Sequence, residues 1–90
     1  TQNRASHLVS KKDKLLEKLL SRPADFTWDE AVKLMKHHHF MLVKQNGSRR
    51  VFRHVSGLKV CLHEPHPQNT LLNYAMERLI EGLRSTGEIE

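Results

Sequence analysis

FMLVKQNGSRRVFRHVSGLKVCLH, residues 40–63, is the stretch that decides the fold of this chain. It begins with an apolar run, residues 40–45, which predicts a β-strand. Asn46-Gly47 follows, and this dipeptide is the strongest short signal for a β-hairpin because both central positions of the turn need positive φ. Residues 49–54 then form the returning strand, so an antiparallel pair is predicted.

The end of the same stretch predicts a third strand. Ser56-Gly57 supplies another turn. Residues 58–63 alternate between two faces, with Leu58, Val60 and Leu62 on one and Lys59, Cys61 and His63 on the other. The three strands therefore form an antiparallel meander with one apolar and one polar face.

The middle strand can be phased in two ways. Val51 and Arg53 alternate against Phe52 and His54, so either pair could point toward the core. We expect Phe52 to be inside, which puts Arg49, Val51 and Arg53 on the outer face. The opposite phasing would expose Arg50, Phe52 and His54. In both cases two arginines lie near His63.

Two amphipathic helices are predicted before the meander. Residues 11–21 carry leucines on one stripe, and Pro23 ends this helix because proline disfavours helical geometry in the residue before it. Thr27 caps a second helix, and Glu30 reaches back to close a capping box. This helix continues to about His38.

A last helix is predicted after the meander, from about Thr70 to Ser85, with apolar side chains on a full core-facing stripe. Gly82 lowers its helix propensity slightly, and Gly87 is a natural stop. The order is α-α-β-β-β-α. The sequence thus predicts an α+β fold, in which helices pack on one face of a three-stranded antiparallel sheet and the other face stays in contact with water.

Charge and composition narrow the function classes. Fifteen Lys and Arg against ten Asp and Glu give a net charge of +5, which attracts polyanions such as nucleic acid. No apolar run approaches the roughly 20 residues of a membrane helix, so no membrane association is expected. The single cysteine, Cys61, cannot form an internal disulfide, which favours a reducing cytoplasm.

The polar sheet face offers a phosphate site. Guanidinium groups bind phosphate oxygens in pairs, and a nearby imidazole moves protons at neutral pH. RNA cleavage without a metal needs a base for the ribose 2′-OH, a cation for the phosphorane and an acid for the leaving oxygen. The alternative is a solvated sheet face with scattered charges.

The histidine run His37-His38-His39 suggests metal binding at first sight. Consecutive helical residues point about 100° apart, so three in a row cannot share one ion. Residues 63–66 lack the spacing of the HExxH zinc motif, and the prolines there exclude the helix that this motif requires. We therefore expect no functional metal site and no cofactor.

Four segments together resemble the HicA toxin family: FTWDE (26–30), LMKHHHF (34–40), NGSRRVF (46–52) and LHEPHP (62–67). The resemblance covers about residues 27–83. It implies a fold like that of a double-stranded-RNA-binding domain, with an α-β-β-β-α core. It also implies a ribosome-independent mRNA interferase that a HicB antitoxin holds inactive.

Two positions depart from the family pattern. The family places its essential histidine directly after Gly-Ser, where this chain has Arg49, and a glycine before the aromatic of the first strand, where this chain has His39. A guanidinium binds phosphate but cannot act as a base at neutral pH. Either His63 or His66 has taken over the role, or cleavage has been lost. The joint presence of Gly-Ser-Arg-Arg and Leu-His-Glu-Pro-His-Pro favours a relocated histidine.

The resemblance and the charge pattern together define the expected site. His63 and His66 are the expected catalytic residues. The residues expected to bind RNA phosphates are Lys44, Ser48, Arg49, Arg50, Arg53 and Lys59. The expected partners are mRNA and a HicB-type antitoxin. The organisation expected is a flexible segment over residues 1–10 and a single HicA-like domain over 11–87, with an extra helix at 11–21 and a core at 27–87.

Two other functions compete with the toxin hypothesis. The first is an RNA-binding or antitoxin-binding module that has lost cleavage, because Arg49 stands in the catalytic position. The second is a purely structural dimer, which would need exposed apolar surface, and the stripe from Leu15 to Leu20 is its candidate. The sequence predicts no particular oligomeric state.

Overall fold

The computed structural model describes residues 11–44 and 46–89. The segment expected to be flexible, residues 1–10, lies outside the described residues, and the single domain over 11–87 stays a prediction. The elements are α1 (Lys11–Leu20), α2 (Trp28–His37), β1 (Phe40–Lys44), β2 (Arg49–His54), β3 (Lys59–His63) and α3 (Asn73–Ser85). This order confirms the predicted α+β class and the succession α-α-β-β-β-α.

The sheet has the order β1-β2-β3 with antiparallel pairing throughout, as the meander predicts. Phe52 pairs with Leu42 on one side and with Val60 on the other. Phe52 is 1% exposed and Val60 is 6% exposed, so this face is the core face. The phasing that places Arg49, Val51 and Arg53 outside is confirmed, and the opposite phasing is wrong.

The connection between β1 and β2 differs from the expected tight turn. Lys44 and Arg50 form the last pair of the ladder, and the Arg49 amide donates to the Asn46 carbonyl at 3.2 Å. Gly47 has positive φ, at 62°, as expected. The Lys44–Arg50 pair leaves a wider loop than a two-residue Asn46-Gly47 turn, and this loop carries Ser48 toward β3, while the positive φ expected at Asn46 stays a prediction.

Helices cover the core face of the sheet in two layers. α2 packs on β1, α3 packs on β3, and α1 lies against both α2 and α3. Leu19 anchors α1 with no exposed surface, and Leu15 and Leu16 pack partly buried against the same core. Leu20, at the end of the stripe, is 37% exposed. Three of the four leucines therefore pack inward, which leaves the dimer hypothesis little of the surface that it needed.

α3 begins later than predicted. Thr70 does not start the helix; it forms an isolated bridge with Thr27, and the Leu71 amide donates to the Phe26 carbonyl at 2.8 Å. The helix starts at Asn73. The segment before α3 is thus tied to the start of α2, which fixes the loop that follows β3.

Gly82 allows close contact between α3 and the sheet. A Cβ at this position would overlap Cγ2 of Val60 and would lie 3.8 Å from Cζ of Phe40. Valine is stiff at χ1 and Val60 is buried, so its methyl group has little freedom to move away. The glycine that lowers helix propensity therefore sets the distance between helix and sheet.

Replacing Gly82 by alanine is expected to destabilise the fold by up to about 2 kcal/mol, because overpacking costs about 1–3 kcal/mol and the gain in helix propensity offsets about 1 kcal/mol of it. Urea unfolding measures the difference. Glu81→Ala, at the exposed neighbouring position of α3, serves as the control and is expected to change stability by less than about 0.5 kcal/mol. A G82A variant more stable than wild type would contradict the close contact.

The predicted capping box at the start of α2 is confirmed. The Thr27 hydroxyl accepts from the Glu30 amide, and the Thr27 amide donates to the Glu30 carboxylate at 2.9 Å. The Lys18 ammonium of α1 donates to the same carboxylate at 2.9 Å. Burial acts to raise the pKa of Glu30, but the bonds from Thr27 and Lys18 lower it by more. The net result is a pKa below the ordinary value of a glutamate.

This lowered pKa makes the contribution of Glu30 depend on pH. A carboxylate with a lowered folded-state pKa stabilises the fold above its unfolded pKa, and this stability is lost as pH falls through the folded value. Glu30→Gln keeps the shape but not the charge. We expect E30Q to lower the urea midpoint at pH 7 and to differ less from wild type at pH 3. An equal difference at both pH values would contradict the ionic contribution.

Candidate functional site

The outer face of the sheet gathers the exposed basic side chains. Arg49 pairs with His63 across β2 and β3, and Arg53 pairs with Lys59. All four are exposed, whereas Val51 and Cys61 between them are buried or half-buried. Within residues 11–44 and 46–89, Arg49, Arg53 and Lys59 form no ion pair. Three cations are therefore available to an anionic ligand on one face.

His63 is held at the end of β3 by contacts on both sides of its backbone. Its amide donates to the Tyr74 hydroxyl at 3.4 Å, and the next amide, that of Glu64, donates to the Ser48 carbonyl at 2.7 Å. Nδ1 of His63 lies 3.2 Å from the Ser48 hydroxyl. Among the described residues no group bonds Nε2, so this nitrogen is directed to solvent.

The Ser48 contact determines what His63 can do. When Nδ1 carries the proton and donates to the Ser48 hydroxyl, the lone pair of Nε2 is free to accept a proton. A hydroxyl both donates and accepts, so this contact positions the ring and is compatible with the tautomer that a general base requires. Ser48 was predicted to bind phosphate, and the structure places it behind the imidazole.

His66 lies on the loop after β3, beside the same pair. Two adjoining depressions in the surface share Ser48, Glu64, Pro65 and His66, and one of them also includes His63 and Tyr74. His66 is exposed. The structure therefore brings both predicted histidines to one concave surface, next to the arginine-bearing end of β2.

Arg50 occupies a different environment from Arg49 and Arg53. Its side chain is 16% exposed, and Nε donates to the Glu64 carboxylate at 3.1 Å. Nη1 donates to the Gly47 carbonyl at 2.6 Å and to the Arg49 carbonyl at 2.9 Å. Arg50 therefore ties the β1–β2 hairpin to the loop that carries His66, and its guanidinium is occupied within the fold.

Lys44 lies in β1 on the face of Arg50, since these two residues pair. Its side chain is outside the part of the chain that the structure describes. The predicted phosphate ligands thus divide into Arg49, Arg53 and Lys59 on the outer face, Ser48 beside His63, and Arg50 in an internal clamp.

The sequence did not indicate three residues that support the site. The Tyr74 hydroxyl accepts from the His63 amide. Arg78 donates to the Cys61 carbonyl at 2.8 Å, and its guanidinium carbon lies 5.2 Å from the Tyr74 ring centroid. Glu64 holds Arg50. The i, i+4 spacing of Tyr74 and Arg78 on α3 was the available signal, because it places both on one helix face, toward β3.

The histidine run also behaves differently from the expectation for a helix. α2 ends at His37, and His39 has φ of 68°, so the helical angle of 100° does not apply beyond that point. His38 and His39 both bond Glu88. His37 is exposed on the last turn and takes no part in this contact.

None of the helices in the described part of the chain has the length and apolar character to cross a membrane.

Comparison with known proteins gives one result. The family model described as HicA toxin of bacterial toxin-antitoxin matches residues 28–86, about two thirds of the 90-residue chain. No curated protein and no solved structure matches the chain. The matched residues run from the start of α2 to the end of α3 and so include the sheet, the Ser48–His63 pair and the His66 loop. The chain belongs to the HicA family of toxins of bacterial toxin–antitoxin systems.

Proposed function

We propose that this HicA family protein is an endoribonuclease that cleaves mRNA without a ribosome or a metal ion, and that a HicB-type antitoxin neutralises it in the cytoplasm. The observation that carries the proposal is the Ser48 hydroxyl 3.2 Å from His63 Nδ1, beside His66 and the exposed Arg49. This arrangement supplies the base, acid and cation that the reaction needs.

His63, Arg49 and His66 each have one role in the reaction. His63 Nε2 takes the proton from a ribose 2′-OH, whose oxygen attacks the adjacent phosphorus. Arg49 stabilises the charge that develops on the phosphorane oxygens. The bond from phosphorus to the 5′ oxygen then breaks, and His66 protonates that oxygen. The products are a 2′,3′-cyclic phosphate and a 5′-hydroxyl.

The remaining cations of the outer face orient the RNA strand. Arg53 and Lys59 pair at the far end of β2 and β3 from His63, so an RNA strand that follows β2 passes over Arg49 at one end and over this cation pair at the other. Phosphate contacts of this kind position the nucleic acid without reading its sequence. Arg50 contributes indirectly, since its bonds to Glu64 and Gly47 hold the loop that carries His66.

The experiment that tests the proposal is incubation of purified protein with single-stranded RNA in excess EDTA, together with His63→Ala and His66→Ala. We expect wild type to cleave and both variants to lose activity while remaining folded by circular dichroism. Wild-type activity in both variants would reject the assignment of roles.

The second candidate function is binding without cleavage, and Arg49 directly after Ser48 favours it, because a guanidinium there does not accept protons. Folded wild type would then bind RNA and leave it intact. Phosphate binding by three exposed cations predicts an affinity that falls steeply with salt, with a slope of log K against log salt of about −2 on single strands. Affinity independent of salt would indicate a protein partner instead.

A further inference from the structure

A second cluster of titratable side chains surrounds the carboxylate of Glu88. Nε2 of His54 lies 2.8 Å from Oε2, Nδ1 of His39 lies 3.1 Å from the same oxygen, and Nδ1 of His38 lies 3.2 Å from Oε1. His54 closes β2 at the end opposite Arg49. Five residues at about 3.3 Å each separate the two ends, so this cluster is about 17 Å from the Ser48–His63 site.

Three parts of the fold meet at this point. His38 caps the end of α2, and His39 follows it at φ of 68°, a conformation that costs free energy for any residue with a Cβ. Gly87, at φ of 79°, turns the chain after α3 and brings Glu88 back over the sheet. The strained backbone of His39 is thus combined with a side chain directed at a carboxylate.

The three candidate ligand atoms are close enough together for one metal ion. One atom each of His39, His54 and Glu88 lie within 4.8 Å of one another. A tetrahedral zinc ion with bonds of about 2.0–2.1 Å has ligand atoms about 3.3 Å apart. Oε2 is 3.1 Å from one imidazole nitrogen and 2.8 Å from the other. Small side-chain movements would therefore seat the ion.

The neighbours of His39, His54 and Glu88 hold these side chains in position. His38, 5% exposed, holds the second oxygen of Glu88 and so orients the carboxylate. Nδ1 of His54 lies 2.9 Å from the Ser56 hydroxyl and accepts from the Ser56 amide, which leaves the ring proton on Nε2. An ion at Nε2 would require the ring proton to move to Nδ1, which would then give up the bond from the Ser56 amide and donate to the Ser56 hydroxyl instead. Outer partners of this kind orient imidazole ligands in metal sites.

The charge of the cluster suits a cation. A glutamate carboxyl has an ordinary pKa of about 4.3, well below neutral pH. The carboxylate is therefore ionised at neutral pH. His39 is exposed and His54 is buried, so the cluster reaches the surface on the His39 side and an ion can enter there.

We propose that His39 Nδ1, His54 Nε2 and Glu88 Oε2 bind one divalent transition-metal ion of the zinc class, which fastens the segment after α3 to the junction of α2 and β1. Two imidazoles and a carboxylate leave a fourth position for water. Because the cluster is remote from Ser48 and His63, the ion stabilises the fold and takes no part in RNA cleavage. The site uses side chains from three separate segments of the chain, so the histidine run alone does not reveal it.

The alternative is that three imidazoles simply donate hydrogen bonds to one carboxylate. The two hypotheses differ in zinc affinity, stoichiometry and thermal response. An ion that binds the folded state alone raises the melting temperature as its concentration rises above Kd. Hydrogen bonds alone give no such response.

The test is zinc titration of the EDTA-treated and desalted full chain, without a histidine tag, by calorimetry and by thermal unfolding. His39→Gly is the most useful variant, because glycine adopts φ of 68° without strain and the variant is expected to fold. Glu88→Gln removes the anionic ligand. His37→Ala is the matched control, since His37 is exposed and outside the cluster. Binding of Co²⁺, followed by its visible absorption, reports the coordination number.

We expect one zinc ion per chain and a melting temperature that rises by several degrees with zinc. Both H39G and E88Q should weaken binding more than about tenfold and abolish the thermal shift, whereas H37A should leave both unchanged. RNA cleavage by H39G should equal that of wild type. Wild-type zinc binding by folded H39G, equal loss of binding in H37A, or no zinc binding by wild type would each overturn the proposal.

Discussion

His63→Ala is expected to lower the rate of RNA cleavage by about 10²–10⁴-fold, the usual contribution of a general acid or base. The imidazole is the group that Ser48 orients, and its Nε2 has no partner among the described residues. His63 is exposed, so its removal should leave stability within about 0.5 kcal/mol of wild type. Single-turnover cleavage of a labelled RNA measures the loss.

Two further variants separate catalysis from general effects of histidine removal. His37→Ala, at an exposed helical position outside the site, should cleave at the wild-type rate. Ser48→Ala should cause a smaller loss than H63A, because the hydroxyl orients the imidazole and transfers no proton itself. If H63A and H37A cleave equally well, His63 is not the base.

Phe52→Ala is expected to lower the free energy of unfolding by about 3–5 kcal/mol, a large share of the roughly 5–15 kcal/mol that holds a small domain together. Phe52 is 1% exposed in the central strand, and its ring centroid lies 5.5 Å from that of Trp28. Truncation removes this contact and leaves a cavity between sheet and helices. Urea denaturation measures the difference.

The adjacent residue gives the matched control. Arg53 points to the opposite face and is exposed, so Arg53→Ala should change stability by less than about 0.5 kcal/mol. R53A should instead weaken RNA binding. The slope of log K against log salt should become shallower by the amount that corresponds to one phosphate contact. Comparable destabilisation by the two variants would mean that the sheet does not have one core face and one RNA-binding face.

The buried face of a strand can be predicted from the sequence of that strand in β3 but not in β2. In β3, Val60 and Leu62 alternate with polar residues, so the period alone predicts the buried face, and the burial there agrees. In β2, arginines and apolar residues occupy both faces, and the period is ambiguous. The pairing of Phe52 with Val60 settles it, and that information lies in β3 rather than in β2.

Element ends were predicted less well than the elements themselves. The capping box of Thr27 and Glu30 is a local signal, and it is present as expected. The start of α3 is different, because Thr70 is bound by Thr27, more than forty residues away in the chain. A tertiary contact of this kind leaves no periodicity in the sequence. The same holds for the hairpin, in which the dipeptide indicated a turn but not its geometry.

The sequence predicted which residues of the candidate site lie close together, but not the contacts that hold them, and the roles of these residues stay a proposal. His63 and Arg49 were expected to be close, and the strand register makes them neighbours. The hydrogen bond between Ser48 and His63 joins two segments fifteen residues apart, and strand parity does not predict it. Arg50 was grouped with the other arginines, whereas its position on the core face and its bond to Glu64 give it an internal partner.

In the proposed mechanism, the surface formed by Ser48, His63 and His66 cleaves RNA through the 2′-hydroxyl without a metal ion. The most direct test is analysis of the product ends after incubation of single-stranded RNA with the protein in excess EDTA, with a fully 2′-O-methylated strand as control. We expect 2′,3′-cyclic phosphate and 5′-hydroxyl ends on the cleaved RNA, and an intact methylated strand. Intact RNA in the presence of folded protein, or products with 5′-phosphate ends, would contradict it.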